Sequence, residues 1–183
     1  MNSSGPQIGY SQLVKLLVTV FGVPEQGEKA LRARLKNLQA KNFPPGVNLG
    51  RLGRVAYGPR EVAMLGLVLS LTSSFVSPDV AVNTVLKEWK LLAEALREGA
   101  RGKGRVGALA TFRANALGSL GKGSKKQAPV MDVVIRWPDE RKKGQPGPLI
   151  LVDLDDLAER LVKGMSGVVD GLAENTPLFA ELE

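Results

Sequence analysis

The sequence contains no cysteine and no histidine. Without thiols there is no disulfide and no thiolate nucleophile, and without either residue there is no zinc finger and no imidazole proton shuttle. Aromatic side chains are scarce, with 5 Phe, 2 Trp and 2 Tyr among 183 residues. A core poor in rings has to be assembled from Leu, Val and Ala, which suits a helix-dominated protein better than an aromatic-rich barrel. No apolar run approaches membrane-spanning length, and the first residues lack the basic head, apolar stretch and small-residue cleavage site of a secretory signal. The expected location is the cytoplasm. No acid and base stand at a recognisable catalytic spacing, so the expectation is a protein that is not an enzyme, with no catalytic residue, metal site or cofactor.

What is present is positive charge, unevenly placed. Residues 1–126 hold 19 Lys and Arg against 7 Asp and Glu, a net of +12, whereas residues 127–183 hold 6 against 11, a net of −5. A basic front of this size attracts polyanions, and an acidic back suits assembly or partner binding.

The chain opens with Met1 to Gly9, which has no periodicity and reads as a frayed start. Ser11 is the expected cap of a first helix carrying Leu13, Leu16, Leu17 and Val20 at helical spacing up to Phe21, and Gly22 ends it. After the turn Gly22 to Gly27, a second helix runs from about Glu28 to Lys41, with Ala30, Leu31, Leu35 and Leu38 as its apolar stripe and Lys29, Arg32, Lys36 and Gln39 opposite. Phe43-Pro44-Pro45-Gly46 stops it, because proline lacks an amide donor and restricts the residue before it. Val47 to Gly58, rich in glycine and arginine, reads as a short two-stranded wing. Pro59 suits the first turn of a third helix reaching Ser73, and Ser77-Pro78-Asp79 opens a fourth, read as continuous from Pro78 to about Leu96. A helix-like patch follows at Val106 to Leu120. Val130 to Trp137 and Pro148 to Val152 have strand composition and suggest a hairpin, after which Asp153 caps a helix through about Lys163.

The predicted fold is mostly α: a winged helix-turn-helix N-terminal domain at residues 10–99, a basic linker at 100–126, a small α+β C-terminal module of strand, hairpin and helix at 127–165, and an acidic tail at 166–183. The order helix, turn, basic helix and wing has a physical logic on DNA. A helix fits the major groove, where its polar side chains reach base edges while a wing lies along the neighbouring phosphates. From Gly27 to Arg60 the chain carries Lys29, Arg32, Arg34, Lys36, Lys41, Arg51, Arg54 and Arg60 against the single acid Glu28. These eight are the candidate DNA-binding residues. Arg32 and Lys36 are expected to face the major groove, Lys29 and Arg34 its edge, and Arg51 and Arg54 the phosphates.

Three segments carry a resemblance: Gly22-Val23 followed by a helix with Leu31-Arg32, then Asn42-Phe43-Pro44-Pro45-Gly46, then Arg54-Val55-Ala56-Tyr57-Gly58-Pro59-Arg60-Glu61-Val62. Together with Phe75-Val76-Ser77-Pro78-Asp79 they make the N-terminal half, residues 10 to about 96, similar to the winged-helix reader of MerR-type transcription regulators. The resemblance implies sequence-specific binding of double-stranded DNA by a homodimer on an inverted repeat. Ala33 and Arg34 stand where that family usually has an aromatic pair. Lacking Cys and His, the chain cannot carry the family's metal or thiol sensing.

Two surfaces offer themselves for the dimer. One, which the resemblance implies as the primary interface, is the helix Pro78 to Leu96 with its stripe Val85, Trp89, Leu92 and Leu96, and the other is an open strand edge between Val130 and Val152. The C-terminal module is also a place for a second protein partner. The alternatives to a regulator are an architectural or nucleoid protein that coats DNA, and an adaptor of a phage or plasmid nucleoprotein complex.

Other motifs carry less. Gly121-Lys122-Gly123-Ser124 lacks the glycine spacing and preceding strand of a phosphate-binding loop. Arg101-Gly102-Lys103-Gly104-Arg105 is equally a minor-groove arm or a solvated linker. Asp153, Asp155 and Asp156 read as a helix cap and first turn rather than nuclease ligands. Trp89 and Trp137 read as core or interface residues.

Overall fold

The structure is a computed structural model that describes residues 5–47, 56–100, 109–114, 131–136, 149–172, 179 and 182. It is mostly helical, with a two-stranded and a three-stranded antiparallel sheet. Its elements run β1 (Ile8–Gly9), α1 (Tyr10–Phe21), a 3₁₀ turn (Glu25–Gly27), α2 (Glu28–Ala40), β2 (Ala56–Tyr57) and α3 (Pro59–Ser73), then α4 (Pro78–Lys87), α5 (Trp89–Ala100), β3 (Leu109–Ala114), β4 (Met131–Arg136), β5 (Leu149–Asp153) and α6 (Leu154–Ser166). The chain divides into two compact units, one formed by residues 1–66 with 158–183 and the other by residues 67–157.

In the first unit the segment expected to be frayed is described from Gly5 on, and it contains a short strand. Ile8 is buried, and Ile8–Gly9 pairs antiparallel with Ala56–Tyr57. Gly9 is the residue before α1, and its amide donates to Gln12 Oε1 at 2.9 Å, so the reach-back glutamine starts this helix and Ser11 lies inside the first turn. Gly22 ends α1 in the left-handed region at φ 57°, where glycine pays no steric cost. Leu13, Leu16, Leu17 and Val20 are buried as the helical spacing requires.

The C-terminal part of α6 lies against α1. Gly164 faces Leu16 and Val20 so closely that an added Cβ would stand 3.1 Å from each. Arg160 donates from Nη1 to the Val20 carbonyl at 2.9 Å, and Gln12 donates from Nε2 to the Val168 carbonyl at 2.8 Å.

The helix α2 buries Leu31, Leu35 and Leu38, while Ala30, expected in the stripe, is exposed. Its end is made by hydrogen bonding before proline becomes relevant. Asn42 adopts φ 56°, its amide donates to the Gln39 carbonyl at 2.9 Å, and the Phe43 amide reaches the Leu38 carbonyl at 3.0 Å. This is the Schellman arrangement, which satisfies carbonyls left over at a helix end. Phe43 and Leu38 are both buried, as that motif favours. The α3 helix is buried on every side over the eight residues Val62 to Leu69. It ends in the same motif, with Phe75 in the left-handed position at φ 64°.

In the second unit the stretch Pro78 to Leu96 is two helices, not one. The backbone at Glu88 turns to φ −100°, ψ 16°, although the Glu88 amide still reaches the Thr84 carbonyl and the Leu92 amide the Glu88 carbonyl. No Pro or Gly marks the bend, and Val85, Trp89 and Leu92 remain buried on both sides of it. The patch expected to be helical contains the strand β3, and β3 is the centre of the sheet, in the order β4-β3-β5. The expected hairpin therefore does not form from β4 and β5 directly, since each pairs antiparallel with β3. Ala110, Thr111 and Phe112 are buried on both faces of β3. The buried Thr84 hydroxyl accepts the Met131 amide at 2.9 Å and ties α4 to β4. Asp153 caps α6 as its sequence suggests, its Oδ1 accepting the Asp156 amide at 3.0 Å. The phosphate-loop-like segment, the basic Arg101 to Arg105 arm and Trp137 lie outside the described residues.

Candidate nucleic-acid interface

The basic helix α2 takes its orientation from its buried stripe. With Leu31, Leu35 and Leu38 committed to the core, 100° per residue places Lys29, Ala33, Lys36, Asn37 and Ala40 on the opposite side, and all five are exposed. Arg34 is exposed on one flank, and Arg32 lies half-buried on the other. Lys29 and Lys36 are thus two turns apart on one line, with only the methyl groups of Ala33 and Ala40 and the short amide of Asn37 beside them. Such a face is shallow as well as cationic. No acidic side chain pairs with Lys29, Arg34 or Lys36 among the described residues.

Arg32 is held differently. Its Nε donates to Glu28 Oε1 at 2.8 Å, and its Nη2 stands 2.7 Å from the same oxygen, one helical turn back. The guanidinium carbon also sits 5.9 Å from the centroid of the Tyr10 ring, within cation–π range. Half the side chain is nonetheless open to solvent, 40% for Arg32 and 41% for Glu28. Sequence reasoning placed Arg32 on the open face but had no signal for Tyr10, which lies 22 positions away on another helix.

Beneath this cluster, Gln39 Nε2 donates to the hydroxyl of Tyr57, a residue of β2 that is almost wholly buried. Burial pushes the Tyr57 phenol above its ordinary value, the hydrogen bond from Gln39 opposes that, and the neighbouring Tyr10 adds to it. The Gly58 amide donates to Glu61 Oε2 at 2.9 Å, fixing the entry to α3 beside Arg60. Lys41 follows the last turn of α2, and both Lys41 and Arg60 are exposed on the same unit.

Of the eight predicted residues, Lys29, Arg32, Arg34, Lys36 and Lys41 belong to α2 and its end, and Arg60 to the first turn of α3. Arg51 and Arg54 lie outside the described residues, as do residues 48–55 of the segment Val47 to Gly58 expected to form a wing. The described strand of that segment, Ala56–Tyr57, pairs with Ile8–Gly9 rather than with a second strand of the segment.

The stripe Val85, Trp89, Leu92 and Leu96, expected as the primary dimer surface, is instead buried within the chain. Among the described residues, β4 and β5 are the outer strands of their sheet. No cluster of acidic residues suited to a metal ion occurs among the described residues, and no described helix is long and apolar enough to cross a membrane. No family model matches the chain, and neither a curated protein nor a solved structure matches it.

Proposed function

We propose that the protein is a sequence-specific DNA-binding transcription regulator whose N-terminal unit is a winged helix-turn-helix, with α2 as its recognition helix. The observation that carries this reading is the outward face of α2, where Lys29 and Lys36 flank small residues and Arg34 stands exposed beside them. Cations on a narrow helix face meet phosphates and release counterions, and small residues between them let the helix axis approach the bases. The first helix, a turn of a few residues and α2 have the order such readers need, and the wing with Arg51 and Arg54 would contact the flanking backbone.

One small reader discriminates poorly against the excess of non-specific sites, so the regulator acts as a homodimer on an inverted repeat. With the α4–α5 stripe buried, an outer strand of the sheet, β4 or β5, is the two-fold contact. The C-terminal residues also offer a surface for a second protein.

The test is binding of the full-length chain to duplexes selected from a random pool. Affinity should fall with salt along a logarithmic slope of about −0.9 per phosphate neutralised. The triple variant Lys29→Ala, Arg34→Ala, Lys36→Ala should lose binding while keeping its helical circular dichroism. Retained affinity in that variant removes α2 from the interface. Recovery of no preferred sequence, with equal affinity for all duplexes, would instead support a DNA-coating protein.

A further inference from the structure

Arg32 is fixed on one edge and open on the other, and the open edge has a specific shape. Arginine carries five N–H donors in a rigid plane. The Nε–H and the adjacent Nη2–H form the side-on edge, and the structure gives both to a single carboxylate oxygen of Glu28, at 2.8 Å and 2.7 Å. The Tyr10 ring at 5.9 Å restrains the plane from one side. What remains is the end-on edge, the second Nη2–H and the neighbouring Nη1–H, with no partner among the described residues and 40% of the side chain exposed. Two parallel donors at this spacing match the O6 and N7 acceptors of guanine in the major groove, a pair that no other base presents there.

We propose that Arg32 is a guanine-reading residue and that Glu28 and Tyr10 are the positioning residues that aim it; the proposal rests on the DNA-binding function above. The position supports it, since Arg32 stands in the N-terminal half of α2, the part of a recognition helix that reaches base edges. The held geometry also separates the roles of the cations. A lysine on a flexible stem serves any phosphate, whereas an arginine already anchored at its side-on edge loses little further freedom on meeting a base. Glu28 repels phosphates as well, so the pair contributes less to indiscriminate binding than a free arginine would. The outward Lys29 and Lys36, with Arg34 on the flank, supply affinity, and the Glu28–Arg32–Tyr10 group supplies selection.

The experiment uses the full-length chain and the best duplex selected from a random pool, with a scrambled duplex as reference. Each guanine of the selected site is replaced in turn by 7-deazaguanine, which lacks only the N7 acceptor. At one guanine per half-site, wild type should lose affinity about tenfold, and Arg32→Lys should show no further loss from the analogue there. Arg32→Lys should lose far more affinity for the selected duplex than for the scrambled one, since the charge is kept and the fork is lost. Glu28→Gln should bind the scrambled duplex at least as tightly while its preference for guanine at that position narrows.

Affinity unchanged by 7-deazaguanine at every position overturns the guanine assignment and leaves DNA binding standing. Glu28→Gln that tightens all duplexes equally with its preference intact makes Glu28 a competitor of DNA, which overturns its positioning role. Failure of wild type to bind any duplex overturns the DNA-binding function itself.

Discussion

The helices α2 and α3 are neighbours in sequence and of similar length, yet they are built on opposite plans. In α2 three leucines are buried and most other positions face water, whereas α3 buries Val62 to Leu69 without interruption. A helix apolar on all sides is a structural strut, and one apolar along a single stripe has a free face for other work. The same contrast appears at their ends. Both close with a Schellman motif, but α2 puts Asn42 in the left-handed position, a residue that tolerates it, while α3 puts Phe75 there, a residue that does not, and leaves its ring fully exposed. The lesson is that side-chain burial, and not helix content, separates the working helix from the supporting one.

The largest effect should come from the strut. Leu67→Ala in α3 should lower unfolding free energy by about 2–5 kcal/mol in a urea titration, because the cavity opens where no side is solvent. A loss under 1 kcal/mol would mean that Leu67 is not packed on all sides. Next is the face of α1 that, unlike the outer face of α2, is already covered. Gly164→Val should destabilise by about 1–3 kcal/mol, since its branches have nowhere to go against Leu16 and Val20, and thermal melts of Gly164→Ala and Gly164→Val should rank by bulk.

The helix ends give a smaller effect of opposite sign. Phe75→Gly should stabilise the protein by about 1 kcal/mol, and Asn42→Gly by less, because only the former relieves a bulky side chain in the left-handed region. Equal shifts in the two melts would erase the distinction between the ends. Smallest of all should be the stability change of Lys36→Ala, within about 0.5 kcal/mol. A larger loss would show the outer face of α2 to be engaged within the fold.

Much of the N-terminal half was legible before any coordinates. The spacing of Leu13, Leu16, Leu17 and Val20 and the punctuation by Gly22 and Pro59 locate three helices to within a residue or two, since these signals act over a single turn. The strand β3 was not legible. Its residues Ala110, Thr111 and Phe112 are buried on both faces, so the alternation that betrays a strand is absent, and Ala and Leu nearby mimic a helix. With the central strand hidden in this way, β4 and β5 read in sequence as each other's partners. The bend at Glu88 left the apolar spacing intact and so gave no sign of itself.

The cationic character of α2 and the list of its charged residues were determined by the sequence alone, because composition and helical period need no knowledge of distant neighbours. Which of those charges stands open and which is already engaged was decided only by tertiary structure. Glu28 is one turn from Arg32 and could be foreseen as its partner, but Tyr10 reaches the guanidinium only because α1 packs beside α2, and the sequence holds no local trace of that approach. The same holds for Gly164, whose missing side chain has meaning only against Leu16 and Val20, residues more than 140 positions earlier. Local periodicity is written into the chain, whereas long-range proximity arises from the joint burial of surfaces that no window of sequence contains.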